Sequence, residues 1–262
     1  MDGAWNDMTA HRQKFEAFAT DWIVRYPESM LRLKREHTYA VLGHAEYIIR
    51  EEGIGGMQGR AALLGALYHD VGRFPQYAQW KTFSDAHSMN HGILGARTLR
   101  QTEFLCSEPC LVRKLVFAAV VLHNRHHLPD SLPESVQKVT SVVRDADKLD
   151  IMRIMAHYLN NPVPSGDVVL HVKDDPEGWS PQIVETVLAG GIPGYADLKY
   201  INDFRMLLGT WLRDLHFRAA RAALVRSGYL ERVLQGLPSR EPFLSVCSSL
   251  YALKDQSIHG LS

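Results

Sequence analysis

Residues 66–74 read ALYHDVGRF and follow the apolar run Ala61, Ala62, Leu63, Leu64. The segment from Arg60 to Val71 is predicted to be a helix that is apolar nearly all round. Such a helix has no solvated face and belongs in the middle of a bundle. Gly72 ends it, so His69 and Asp70 are delivered to the interior. An imidazole beside a carboxylate offers two metal ligands of different charge and hardness. An ionised aspartate buried without a cation is costly. The adjacent pair therefore raises the question of what else points at it.

Four more residues of ligand type lie on other predicted helices: His37 upstream, then His91, His123 and Asp147 downstream. Each interrupts an apolar helical face, as a metal site in a bundle core requires. A lone histidine on an apolar face is ordinarily a hydrogen-bonded core residue. His44, seven residues after His37, is read that way or as a support to a ligand. Asp147 and Asp150 also have a blander reading, as a solvated face or as partners of Arg144 or Arg153. Six independent accidents on the helices around the His-Asp pair are a poorer explanation than one shared site.

Nearly the whole chain carries the 3.6-residue period, so the fold class expected is all-α. Helices are predicted at Met8–Tyr26, ended by Pro27, and at Glu28–Glu52, followed by a loop with Gly53, Gly55, Gly56 and Gly59. Others are predicted at Asn90–Phe104, Glu108–His123 and Pro133–Leu159, then at Pro181–Leu188, Ile201–Arg226, Gly228–Leu234 and Pro242–Ala252. Arg73–Ser88 reads as an aromatic-rich loop with Phe74, Tyr77, Trp80 and Phe83. Asn124–Leu132 is a polar, histidine-rich loop. Residues 160–180 are irregular, and the stretch VVLHV from Val168 suits a short strand or hairpin arm. The simplest organisation is one helical domain over 1–262, with a core at about 28–160 and a helical extension at about 180–256. In that extension Phe204, Leu207, Leu208, Trp211 and Leu215 suit either core or a homodimer surface.

Composition narrows the function. The 262 residues are 46% hydrophobic, enough for a sizeable core, and no apolar run approaches the length of a membrane span. The 29 basic residues balance 29 acidic ones, which argues against a dedicated nucleic-acid or anionic-membrane surface. Cys106, Cys110 and Cys247 are too few for a disulfide framework and read as reduced thiols. With no signal pattern at the N-terminus, a cytoplasmic protein is expected.

The segment from about Leu33 to Leu159 resembles the HD-domain metal-dependent phosphohydrolase superfamily. The resemblance rests on HDVGRF, on MNHGILGARTL around His91, on LHN at His123-Asn124 and on RDADKLDIM around Asp147, in that order. It implies a helical bundle in which His37, His69, Asp70 and Asp147 hold one divalent metal ion. It further implies a second ion held by Asp70, His91 and His123, with Asp70 bridging and Asp150 in support. His/Asp ligands leave the identity open among Mn, Fe, Ni, Zn and Mg.

The activity implied is hydrolysis of a phosphate ester, of a nucleotide or another small molecule, by metal-activated hydroxide. Asp70 would then be catalytic through the metals. Arg73 is the candidate phosphate clamp and Lys148 an electrostatic aid, with His126 and His127 as donors of a proton to the leaving oxygen; each suits a surface role equally. HNRHHLPDSLP lacks the second histidine, glutamate and Gly-Tyr-Pro that follow the fourth histidine in HD-GYP phosphodiesterases. Leu33 stands where their three-metal members carry glutamate. Alarmone hydrolases, with a single metal, need neither His91 nor His123. Two alternatives stay open: a di-iron oxygenase of the myo-inositol oxygenase type, and a nucleotide-binding regulatory HD protein.

Overall fold

The structure is a computed structural model that describes residues 7–27, 30–161 and 172–259. Among these residues every regular element is a helix, and the β-structure is a single isolated parallel bridge between Lys173 and Tyr200. The all-α expectation holds. Residues 168–171 of the stretch read as a strand or hairpin arm lie outside the described residues. Backbone contacts divide the chain into two compact units, Met1–Asp150 and Ile151–Ser262.

The first unit is built around α3 (Gly56–Tyr68), with α2 (Leu31–Glu51) and α6 (Cys110–Leu122) packed against it. Ala61, Ala62, Leu64, Ala66, Leu67 and Tyr68 are completely inaccessible to solvent, as the run of apolar residues demands of a central helix. Gly65 lets two neighbours pack tightly against the helix. A Cβ there would lie 2.9 Å from Val143 Cγ2 and 3.4 Å from Ala119 Cβ. The helix α1 (Thr9–Arg25) covers α2 and α3, placing Phe15 edge-on to Phe74.

A buried polar group fastens α1 to this core. His11 Nδ1 lies 2.9 Å from the Tyr68 hydroxyl, and His11 Nε2 lies 3.0 Å from Glu108 Oε1. Arg60 donates to both Glu108 oxygens, at 3.2 and 2.6 Å. A buried charge pair persists where further hydrogen bonds satisfy both partners, and His11 supplies one of them.

Arg73–Trp80 is a helix, α4, where the sequence pattern predicts a loop. Phe74 and Gln76 are its buried residues, and Pro75 is tolerated because the first helical turn needs no amide donor there. A further turn, Asp85–His87, leads to α5 (His91–Thr102), whose N-terminus is capped by the Asn90 side chain accepting from the Ile93 amide at 3.1 Å. The last helix of this unit, α7 (Glu134–Tyr158), continues past the unit boundary.

In the second unit the expected long helix over Ile201–Arg226 is two helices, α9 (Ile201–Asp214) and α10 (Arg218–Ser227). Between them Leu215 is extended and buried, His216 is exposed and Phe217 is buried. That two-residue alternation is the strand-like period interrupting the helical one. The core gathers Ile183, Val184 and Val187 of α8 (Pro181–Leu188) with Met206, Leu234, Phe243 and Leu250, among others. Among the described residues, no helix is long and apolar enough to cross a membrane.

Candidate metal centre

The backbone brings the ligand-type side chains of five segments to one buried point. His69 and Asp70 sit at the C-terminal end of α3, His37 in the middle of α2, His91 at the start of α5, His123 at the end of α6 and Asp147 on α7. The imidazole side chains of His37, His69, His91 and His123 and the Asp70 carboxylate keep at most 7% of their surface; Asp147 keeps 17%. The centre is therefore open to solvent on the Asp147 side.

Two groups of ligand atoms form, each with all atoms within 4.8 Å of one another: His37, His69 and Asp70, and Asp70, His91 and His123. Asp70 belongs to both. Its Oδ2 lies 3.9 Å from His37 Nε2 and 3.8 Å from His69 Nε2. Its Oδ1 lies 3.5 Å from His91 Nε2 and 3.9 Å from His123 Nε2. Asp147 extends the first group, with Oδ1 at 3.0 Å from His37 Nε2 and 3.7 Å from His69 Nε2. The six candidate ligands singled out from sequence thus lie together, Asp147 beside the first group rather than within it.

The outer nitrogens explain the orientation of the rings. His69 Nδ1 donates to the Ala66 carbonyl and His123 Nδ1 to the Val120 carbonyl, each at 2.8 Å. His37 Nδ1 is 2.6 Å from Asp150 Oδ2, and His91 Nδ1 is 2.7 Å from Asp85 Oδ2. All four acceptors fix the proton on Nδ1 and turn the Nε2 lone pair inward, the arrangement that orients metal-ligating histidines. His91 Nε2 and His123 Nε2 are 3.0 Å apart, and His69 Nε2 and His37 Nε2 are 3.3 Å apart. In the His37–His69 pair a protonated His37 can donate from Nε2, but neutral His91 and His123, each with its proton on Nδ1, oppose two lone pairs at hydrogen-bond distance. A cation between them removes that conflict, so the donor set fits divalent metal.

The titration behaviour agrees. Burial opposes charge on His37, but the bonds to Asp147 and Asp150 prevail and lift it to about 9. Burial and the neighbouring imidazoles hold His123 down to about 3. Burial, with Arg73 nearby, also lowers His91, and burial lowers His69. For Asp70 burial works upward, yet Lys34, His69, Arg73 and His91 keep it well below the usual carboxylate range. The metal-free centre therefore carries ionised carboxylates, one protonated histidine and three neutral ones.

Several supporting residues were not singled out from sequence. Lys34, one turn before His37, places Nζ 2.9 Å from Asp70 Oδ2 and keeps 20% of its side-chain surface. Its spacing of three from His37 was the available signal. Asp85 and Gln76 were hidden in the segment read as loop. Arg73 is committed: Nη1 donates to the Phe83 carbonyl at 2.6 Å, Gln76 Oε1 at 2.7 Å and Asp85 Oδ1 at 3.0 Å. Its Nε, buried and without a hydrogen bond, stands 3.4 Å from Asp70 Oδ1. His126 and His127 are exposed, their rings 4.2 Å apart, and neither belongs to the two ligand groups. Lys148 is half-buried beside Asp147. Arg144 of α7 holds the turn after α6 through the carbonyls of His123 at 3.1 Å, His126 at 3.2 Å and Arg125.

Fold and site together define a helical protein with a His/Asp centre able to hold divalent metal. Residues 35–152 match the family model described as HD domain, and the His/Asp cluster is compatible with a metal site of the HD type. A search of curated proteins and a search of solved structures each gave no match.

Proposed function

We propose that the protein is a phosphohydrolase that cleaves a phosphate ester of a nucleotide or other small molecule at a two-metal centre. The observation that carries this reading is the doubled ligand set around Asp70, with two side-chain cations bearing on the same carboxylate. Bound divalent ions supply Lewis acidity and activate water near neutral pH. The residues of the first set are His37, His69, Asp70 and Asp147, and those of the second are Asp70, His91 and His123.

The chain itself supplies binding and orientation. Lys34, whose side chain keeps 20% of its surface, is a point charge on a long stem suited to a phosphate oxygen. Arg73, its Nη1 committed to Asp85, Gln76 and the Phe83 carbonyl, acts as a fixed positive charge beside Asp70. His126 and His127, on the exposed loop after His123, are the proposed donors of a proton to a leaving oxygen, and Lys148 is the proposed positive charge next to Asp147.

The test is a screen of mononucleotides, deoxynucleoside triphosphates, cyclic nucleotides and sugar phosphates with Mn²⁺, Ni²⁺ or Mg²⁺, reading phosphate release and oxygen consumption in parallel. Metal-dependent phosphate release without oxygen uptake is expected. Oxygen uptake without phosphate release would overturn the proposal in favour of di-iron oxygenase chemistry. Tight nucleotide binding with neither reaction would assign a regulatory role instead.

A further inference from the structure

We infer that Asp85 is the positioning residue for the second ligand group, and that the hold of Asp70, His91 and His123 on a metal ion depends on its carboxylate. The inference rests on the two-metal reading above, though not on any substrate. Three of the inward-turned histidines lean on acceptors that the core fixes: the carbonyls of Ala66 and Val120 for His69 and His123, and for His37 the Asp150 carboxylate, which has no exposed surface. His91 alone leans on a loop residue, whose side chain keeps 31% of its surface.

That one carboxylate gathers every segment around the second group. Its Oδ1 receives Arg73 Nη1 at 3.0 Å and Gln76 Nε2 at 2.9 Å, both from α4, directly after Asp70. Its Oδ2 receives Asn124 Nδ2 at 3.1 Å, from the residue next to His123. His91 Nδ1 lies 2.9 and 2.7 Å from the two oxygens, and the His91 amide 3.4 Å from Oδ2. Gln76, wholly buried, fastens the same loop by donating also to Ser88 Oγ at 2.8 Å and the Met89 carbonyl at 3.0 Å. A carboxylate on the outer nitrogen both orients an imidazole and makes its inner nitrogen a stronger donor to a cation. Removing it frees the ring; replacing it by an amide keeps an acceptor but loses the charge.

The experiment is a calorimetric titration of the full-length, metal-free protein with Mn²⁺, comparing wild type with Asp85→Asn and Asp85→Ala. Partners of this kind typically change metal affinity about 10- to 100-fold. Two sites are expected in wild type. In Asp85→Asn one site is expected about tenfold weaker, in Asp85→Ala about a hundredfold weaker, and the other site is expected unchanged in both. A role in folding alone would weaken both sites together and would not rank the variants in this way. Equal loss at both sites, wild-type affinity at both in Asp85→Ala, or a single site in wild type would each overturn the inference. Should Asp85→Ala fail to fold, Asp85→Asn still decides between selective weakening and none. Because no substrate is involved, these outcomes stand apart from the success or failure of the phosphate-ester screen.

Discussion

Gly72, in the turn that carries Asp70, offers the sharpest mechanical test of how the centre is assembled. It has ordinary right-handed helical angles, φ −69° and ψ −18°, so an alanine there meets no backbone strain. The obstacle is space. A Cβ would come well inside 3.0 Å of the His91 carbonyl oxygen and the Gly95 amide nitrogen, and 3.0 Å from Gly95 Cα. All three obstacles are backbone and cannot rotate aside. Ordinary carbon–oxygen contacts begin near 3.3 Å, so α5 must retreat by roughly 0.5–1 Å. Overpacking typically costs about 1–3 kcal/mol, and rigid neighbours put Gly72→Ala at the upper end. For a unit of this size that is a fall in Tm of roughly 6–12 °C. His91 rides on α5, so the retreat also lengthens the 3.5 Å separation of His91 Nε2 from Asp70 Oδ1. Second-group metal affinity is expected to fall at least about tenfold, since metal–nitrogen bonds near 2.0–2.1 Å tolerate little displacement. The control is Gly43→Ala: Gly43 is exposed on α2 with nothing within 4 Å of an added Cβ, so the substitution should stabilise by about 1 kcal/mol. Differential scanning calorimetry and Mn²⁺ titration measure both effects. A Gly72→Ala protein that melts within about 2 °C of wild type and binds metal equally would refute the packing account.

Metal uptake is expected to expel about one proton at pH 7, from His37, whose pKa near 9 leaves it protonated in the metal-free centre, whereas His123 near 3 has none to lose. Calorimetry in buffers of different ionisation enthalpy measures this number; release of no proton would contradict the assignment, whereas a proton beyond the first is what ionisation of metal-bound water adds. The same elevation makes the metal-free fold most stabilised by His37 below about pH 6.5, the unfolded value, with that stability lost as pH rises through about 9. A Tm of metal-free protein that rises over this range would count against it. Glu108→Ala should destabilise by about 3 kcal/mol, because it removes the carboxylate that the buried Arg60 guanidinium pairs with, leaving it the Asp7 carbonyl, and takes the Glu108 contact from His11 Nε2. Urea denaturation reads that loss, and a change below about 1 kcal/mol would show the network to be dispensable.

The six candidate ligands were legible because each is a His or Asp interrupting an apolar helical face, a contrast that survives without knowledge of the fold. Asp150 was legible as support for the same reason, one turn beyond Asp147 on α7. Asp85 and Gln76 were not, because the segment from Arg73 has too short a helix to display its period and Pro75 reads as a breaker. Their roles come from hydrogen bonds to residues distant in sequence, such as Asp85 to Asn124. Lys34 lay in plain sight three residues before His37, but nothing in the sequence says that its ammonium faces Asp70. The break between α9 and α10 was masked because Leu215 and Phe217 are as apolar as a continuing helix would need. Among its described residues the second unit shows packing patterns and no cluster of ligand-type side chains, so its sequence spoke only of fold.

The shared position of Asp70 is tested most directly by counting metal ions. Manganese analysis of loaded, desalted protein should give two ions per chain for wild type, one for His123→Ala and none for Asp70→Ala. An Asp70→Ala protein that folds and keeps even one tightly bound ion would contradict a centre built on that carboxylate.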